Sequence, residues 1–409
     1  MKHYIIALLH YSCPPIVGGV EEIIRQHASL FTRYKHMVKL FAGDGELFTD
    51  EYDIEINALL GSRNPKILGI HKGLPQSSHE LESLSDDLYR YLRQALRSFD
   101  VLIAHNVLTM HYNLPLTMAV HKLANTGTIR VVSWNHDSPY YYPRPPVNLD
   151  IEQWDILKTY NPAISYVTIS EQRKVEFQGL YGVEGIEVIP DGIDPFPLFY
   201  LDPKTVKLIT EENLFDADLL MIQPSRLHPR KNIELSIRVV RALHDKGLKA
   251  RLLLTGAFDP HEKKTVGYYN RLRNLSQQLN VERDIVIAAE YYSEDGKELS
   301  CEKDVVRDLY LIADLLFMPS LQEGFGIPLL EAGLLRVPIF CSDIHSFREV
   351  CEENAQYFSL KDSPSEIADT IIAFINKLSS HRMAHHIKEY YLWDKIYHKI
   401  LLPFLQRII

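Results

Sequence analysis

The chain has 409 residues, with 44 Lys plus Arg against 53 Asp plus Glu and a formal net charge of −9. Apolar residues make up 46% and charged residues 24%, an ordinary globular composition, and 19 glycines and 22 prolines fall well short of a low-complexity chain. At roughly 150 residues per domain the length implies two large domains; the acidic balance argues against a dedicated nucleic-acid binder, and no apolar run approaches the ~18 residues of a membrane span.

In chain order, residues 4–9 form a short apolar run. It is too brief for a signal-peptide core and reads as a buried first strand. Similar runs follow at 38–42, 101–105, 130–134, 166–169 and 186–189, and then at 219–223, 250–255, 284–288, 315–318, 337–341 and 356–359. Runs apolar at every position suit strands covered on both faces. The stretches between them look helical: 80–99 carries Leu81, Leu84, Leu88, Leu92 and Leu96, spaced three or four apart. Strands alternating with helices imply parallel sheets with right-handed crossovers. Two such sets imply an α/β chain of two Rossmann-like, doubly wound domains, and no short repeat points to a solenoid.

The boundary falls at Pro190-Asp191-Gly192-Ile193-Asp194-Pro195, where two prolines and a glycine mark a turn after a strand. This divides the chain into an N-terminal domain, 1–193, and a C-terminal domain, 194–388. The remaining segment, 389–409, starts aromatic and ends apolar, as expected of a terminal helix packing back on the N-terminal domain. Cys13, Cys301, Cys341 and Cys351 show no C-x-x-C spacing. A disulfide framework or cysteine-rich zinc site is therefore not expected, and a reducing, cytoplasmic setting is.

The turn after the first strand holds only Gly18-Gly19. It lacks the three spaced glycines of a dinucleotide fingerprint, which lowers hydride chemistry in rank, and no Walker A sequence occurs. The richest segment is 319–332, Pro-Ser-Leu-Gln-Glu-Gly-Phe-Gly-Ile-Pro-Leu-Leu-Glu-Ala, after an apolar strand and opening a helix. Gly324 and Gly326 let backbone approach a ligand, and the helix start points N–H groups at an anion. Glu323 and Glu331 flank this turn, and carboxylates accept hydrogen bonds from the vicinal hydroxyls of sugars. A second segment, Pro224-Ser225-Arg226-Leu227-His228-Pro229-Arg230-Lys231-Asn232, follows the first strand of the second half. Arg226 and Lys231 can neutralise a diphosphate there without a metal. No His, Asp or Glu cluster shows metal-ligand spacing. A third segment, Ser133-Trp134-Asn135-His136-Asp137, puts His136 and Asp137 at a strand end, with His105 and Asn106 at another.

Taken together, these segments resemble the retaining glycosyltransferases of family 4 (group 1). The Glu-Gly-Phe-Gly opening with Glu331 looks like that family's paired-glutamate motif. Ser225-Arg226-Leu227 with Lys231 resembles its phosphate-binding turn, and Gly18-Gly19-Val20 its N-terminal glycine loop. Residues 189–194 resemble its interdomain hinge, with Asp191 where the family commonly has Asn. The resemblance implies the GT-B fold, two Rossmann-like domains facing an interdomain cleft. It implies that Glu331 holds the ribose, that Glu323 contacts the donor hexose, and that Arg226 and Lys231 hold the diphosphate. Gly324, Phe325, Gly326 and Ile327 would offer donor contacts, and Gly19 would approach from the other side. His136 would hydrogen-bond the sugar. The co-substrate implied is a UDP-, GDP- or ADP-hexose, with no further cofactor and no metal, and transfer retains the anomeric configuration.

The acceptor is less clearly encoded. Asp137, Tyr140 and Arg144 are candidates, since aromatics stack on sugar faces and arginine binds carboxylate or phosphate. Gly61-Ser62-Arg63-Asn64-Pro65-Lys66 with His71-Lys72 is a second basic patch. Membrane docking through residues 21–39 is disfavoured by Glu21 and Glu22. A small soluble glycoside or acidic sugar derivative is expected. A lipid or polysaccharide acceptor, a sugar-nucleotide epimerase and a non-catalytic nucleotide-sugar binder are the alternatives. The long stretch 290–300 leaves the nucleotide base open.

Overall fold

The computed structural model describes residues 2–145, 147–256, 263–291 and 301–409. Pro146 and residues 292–300, the latter most of the stretch read above as bearing on the base, lie outside the described residues. The chain divides into two compact units, Met1–Asp194 with Tyr391–Ile409, and Pro195–Tyr390.

The first unit holds seven strands: β1 (Ile5–His10), β2 (Met37–Ala42), β3 (Asp53–Ile56), β4 (Val101–His105), β5 (Arg130–Asn135), β6 (Ile164–Thr168) and β7 (Glu187–Val188). They run parallel in the order β3-β2-β1-β4-β5-β6-β7. The second unit holds β8 (Leu219–Gln223), β9 (Ala250–Leu254), β10 (Ile285–Ile287), β11 (Leu315–Met318), β12 (Ile339–Ser342) and β13 (Gln356–Phe358). These are also parallel, in the order β10-β9-β8-β11-β12-β13. Both are doubly wound Rossmann-type sheets. Each reverses its winding once, between β1 and β4 and between β8 and β11. Ligands of such sheets bind at the carboxyl ends of the strands flanking that switch point.

The strand missing from the sequence reading is β3. Its residues Asp53-Ile54-Glu55-Ile56 alternate acid with isoleucine, and it borders only β2. An edge strand needs no continuous apolar run and carries charge to block further pairing. Lys39 of β2 lies 2.8 Å from Glu55 across this edge.

Alternation along β1 sends residues to two cores. Ala7 and Leu9 join Leu81, Leu84, Leu88 and Leu92 of helix Ser78–Ala95. Ile6 and Leu8 join Ile24 and Phe31 of helix Gly19–Arg33, together with Trp393, Tyr397 and Leu401 from the chain end. The helix expected at 389–409 begins later, at Trp393, and runs on to Ile408 with a π-turn inside it. Helix Ser379–Tyr390 stops, and Leu392 bridges to Ile193. The chain then winds through Trp393–Ile396, a π-turn Tyr397–Leu401 and helix Leu402–Ile408. Pro403 has no N–H to give the preceding turn, which accounts for its widening.

This return is held by specific contacts. The Tyr397 ring stacks on Tyr34 at 3.8 Å between centroids. Its hydroxyl is 2.7 Å from His36 Nε2, while His36 Nδ1 accepts the Tyr4 N–H at 3.0 Å. Trp393, 1% exposed, donates its indole N–H to Gln26 and meets the His27 ring at 4.5 Å. A Cβ on Gly192 would come within 2.7 Å of the Trp393 ring, so glycine is required there. Trp393→Ala is expected to destabilise this unit by about 3–5 kcal/mol, read as a lowered urea midpoint.

Candidate functional site

In the second unit the two sequence segments converge at the carboxyl ends of β8 and β11. The turn after β8 is locked by Gln223, whose side-chain N–H donates to the Lys231 carbonyl (2.9 Å) and whose Oε1 accepts from Ser236 (2.6 Å). Asn232 takes a left-handed conformation (φ 53°) and donates to the Pro319 carbonyl at 3.2 Å, while the Leu321 N–H reaches the Arg230 carbonyl at 2.8 Å. The two turns are thus one hydrogen-bonded piece.

At its centre Lys231 Nζ donates to Glu323 Oε1, both side chains being largely buried. Ser320 donates to the same oxygen at 2.9 Å, and Arg230 Nη1 lies 3.8 Å from the other. Arg226 is exposed, and the buried Ser225 hydroxyl has no partner among the described residues. Gly326 (φ 109°) caps helix Ile327–Leu334, and a Cβ there would press on Leu329 and Phe347 at 3.0 Å. Gly324 faces open space instead. Phe325 and Ile327 are 53% and 61% exposed. Glu331, one turn into the helix, accepts the Tyr310 hydroxyl at 2.7 Å. Burial pushes the Tyr310 phenol far above its ordinary range, so it stays a donor. Neither Tyr310 nor Ser320 stood out in the sequence. Tyr310 reads there as one apolar position of an amphipathic helix, 21 residues away from Glu331.

In the first unit, the carboxyl ends of β1, β4 and β5 open on a cavity of about 860 Å³ whose lining includes His10, Gly19, Glu21, Arg63, Asn106, Tyr112, His136, Asp137, Tyr142 and Asp191. Of the sequence candidates, Gly19, His136 and Asp137 line it. Tyr140 and Arg144 do not: the Tyr140 hydroxyl donates to the Trp154 carbonyl (3.3 Å), and Arg144 is exposed. Tyr142 and Tyr112 stand in the wall instead.

His136 is positioned by its neighbours. Asn106, held left-handed at φ 58°, accepts the His136 and Asp137 N–H groups at 2.8 and 3.2 Å. His136 Nε2 is 3.2 Å from His105 Nδ1, and its Nδ1 is 3.4 Å from Asp191 Oδ2. The assignment that satisfies most groups protonates His105 Nδ1 toward His136 and His136 Nδ1 toward Asp191. His10 Nδ1 lies 2.8 Å from the His105 carbonyl and so carries the proton. Burial pushes His10 down to about 4 and His27, behind it, to about 3, while His105 falls well below its ordinary value for the same reason. Asp137 accepts from the Tyr142 hydroxyl (2.7 Å) and pairs with Arg173 (3.1 Å).

A second cavity of about 640 Å³ lies in the other unit, where Arg251 and Ile285 open β9 and β10. It runs along the edge strand β10 as far as Tyr291, and its Arg251 is held by Glu212 and the Arg283 carbonyl. Among the described residues no three His, Cys, Asp or Glu side chains are placed to hold a metal ion. No helix among them is long and apolar enough to cross a membrane.

Two parallel, doubly wound α/β units in one chain, each with a polar constellation at its switch point, define a protein of the GT-B class. The family model described as "Glycosyltransferase Family 4" matches residues 17–195, and that described as "Glycosyl transferases group 1" matches 207–390. The chain belongs to the family 4, group 1 glycosyltransferases. It is similar to the mannosylglucosylglycerate synthase of Petrotoga mobilis, 27% identical over 64% of this chain and 63% of that protein. It is also similar to the mannosylglucosylglycerate synthase of Thermotoga maritima, 23% identical over 87% of this chain and 85% of that protein. The alignment therefore spans less than two thirds of the Petrotoga protein's length. Among solved structures, a sucrose-phosphate synthase from Thermosynechococcus elongatus is similar at 14% identity and TM-score 0.40, over 99% of both chains.

Proposed function

We propose that this chain is a retaining hexosyltransferase. It moves glucose or mannose from a nucleoside-diphosphate sugar to a hydroxyl of a small glycoside or acidic sugar derivative, in the cytoplasm. The observation that carries the reading is the Lys231–Glu323 pair, hydrogen-bonded beside a helix start whose flanking glycines bring backbone N–H groups forward. Cations and N–H groups of this kind take up the charge that develops on a leaving diphosphate. Arg226 and Lys231 bind that diphosphate, with Gly324, Phe325, Gly326 and Ile327 around the donor. Glu323 accepts hydroxyls of the hexose, and Glu331, oriented by Tyr310, accepts those of the ribose. The first unit supplies the acceptor side through Gly19, His136 and Asp137.

Retention follows a front-face route. The bond from the anomeric carbon to the diphosphate oxygen breaks and the acceptor oxygen bonds on the same face. The acceptor's proton passes to the departing diphosphate. The names of the two relatives make mannose the first hexose to try and glucosylglycerate the first acceptor.

The test is thermal denaturation with UDP, GDP and ADP and their glucose and mannose conjugates, followed by proton NMR of the product. One nucleotide is expected to raise the melting temperature selectively, by native-state binding. The product is expected to keep the donor's anomeric configuration. No shift with any of the three rejects the donor site, and an inverted product rejects retention.

A further inference from the structure

We infer that Asp191 binds the acceptor directly, its Oδ1 taking the hydrogen of an acceptor hydroxyl while its Oδ2 holds the His136 ring. The inference rests on the acceptor-side reading of the first unit's cavity and names the group that reads the acceptor there.

Asp191 lies in that cavity's wall, and its Oδ1 is buried with no hydrogen-bond partner among the described residues. Its Oδ2 is 3.4 Å from His136 Nδ1. The acids nearby are differently placed. Glu21 accepts from Ser12 at 2.6 Å, and Asp137 is held by Tyr142 and Arg173. A buried carboxylate oxygen without a donor is unfavourable, so it marks a place where a donor is expected. The position is also rigid. Ile193 is hydrogen-bonded to the chain end (2.8 Å to the Tyr391 carbonyl), and Gly192 is closed against Trp393. That seam fixes the backbone on which Asp191 sits.

The chemistry of the residue decides what meets it. Both carboxylate oxygens only accept, whereas asparagine offers one acceptor and one donor. Asp191 therefore presents an acceptor to His136 Nδ1–H and a second acceptor to the cavity. A hydroxyl satisfies the second; a carboxylate or phosphate is repelled by it. The acceptor thus meets Asp191 through a hydroxyl, and any acidic group it carries points elsewhere. The other titratable ring close enough to feel this charge is His27, which burial keeps neutral.

The experiment uses the full chain, with the mannose and glucose conjugates of the nucleotide that stabilises it as donors. The acceptors are glucosylglycerate, methyl α-D-glucoside and methyl α-D-mannoside. Wild type, Asp191→Asn and Asp191→Ala are compared, each with its melting temperature. For an acceptor that wild type uses, both variants are expected to raise the acceptor KM on the order of 10- to 100-fold, the worth of a hydrogen bond to a charged group. The donor KM is expected to stay within about twofold of wild type. Asparagine is expected to rescue at most in part, because it loses the charge and meets the hydroxyl only through its N–H when its oxygen faces His136. An unchanged acceptor KM in Asp191→Asn overturns the inference and leaves the transferase reading standing. So does an equal rise in both KM values, which indicates a structural role. No transfer by wild type to any of the three acceptors, from either donor, overturns both. The two substitutions differ in bulk, so a folding failure in one leaves the other to read.

Discussion

Lowering the pH from 7.5 to 5 is expected to unfold the first unit. His10, His27, His36, His105 and His121 are all nearly inaccessible there. Burial pushes His10, His36 and His121 down to about 4 and His27 to about 3, and holds His105 well below its ordinary value. A hydrogen bond accounts for the neutral form of one of them: His36 accepts a backbone N–H on Nδ1, which a proton there would displace. For His10 the bond from Nδ1 to the His105 carbonyl works the other way, and burial outweighs it. The unfolded rings take up protons near pH 6.5 and the folded ones do not, so the unfolded state gains as pH falls. Stability is full above about pH 7 and is lost downward from 6.5 toward 4. Each ring contributes about 1.4 kcal/mol per pH unit in that window, and five together on the order of 7 kcal/mol. A domain is stable by only about 5–15 kcal/mol. The chain's three tryptophans, Trp134, Trp154 and Trp393, all lie in this unit, so their fluorescence in urea follows it alone. A urea midpoint that is the same at pH 7.5 and pH 5.5 would show that the rings are not held neutral.

Replacing Glu323 by Gln is expected to lower turnover on the order of 100- to 1,000-fold, the range seen when one group that stabilises a transition state is removed. The same change is expected to leave nucleoside-diphosphate binding intact or tighter. Lys231 now donates to Glu323, and an incoming diphosphate must compete for that ammonium group. With Gln the competition falls, while the hydroxyl-accepting charge for the hexose is lost. Lys231→Ala should do the reverse on binding. It removes the cation from the diphosphate and leaves Glu323, whose side chain is 8% exposed, without its partner. Truncating one member of a buried pair costs about 3–5 kcal/mol. The two variants are therefore separable by calorimetric titration with the nucleotide that stabilises the wild type, against a melting curve. If both bind that nucleotide as wild type does and turn over normally, the donor site lies elsewhere.

How much of this was legible in the chain differs between the two units. In the second, the site is almost linear. Arg226 and Lys231 lie within nine residues, 224–232, and Glu323 through Glu331 within another nine, each just after an apolar strand. A doubly wound sheet brings the ends of adjacent strands together, so spacing and strand order suffice to place them. What escaped was the support: Gln223 locking one turn, Ser320 sharing the Glu323 oxygen, Tyr310 aiming Glu331. Each reads in sequence as an ordinary strand, turn or helix residue. In the first unit the wall is assembled from six separate stretches, so proximity in sequence is a poor guide to it. Tyr140 and Arg144 follow His136 closely but are not in the wall, while Arg63, Tyr112 and Asp191 arrive from a distance. Asp191 was visible only as a departure from the family pattern, without a partner to explain it.

The sequence by itself determined the fold class, because strands covered on both faces must be apolar throughout and their alternation with helices admits one kind of sheet. It also marked the two turns at 224–232 and 319–332, where glycine, proline and charged residues cluster directly after apolar strands. Tertiary structure alone decided the histidine cluster, the edge strand β3 and the seam made by Trp393. These depend on which side chains exclude water from which others, and that is a property of residues hundreds of positions apart. Burial, not identity, turns His27 from a surface base into a neutral ring and leaves one oxygen of Asp191 waiting for a hydroxyl.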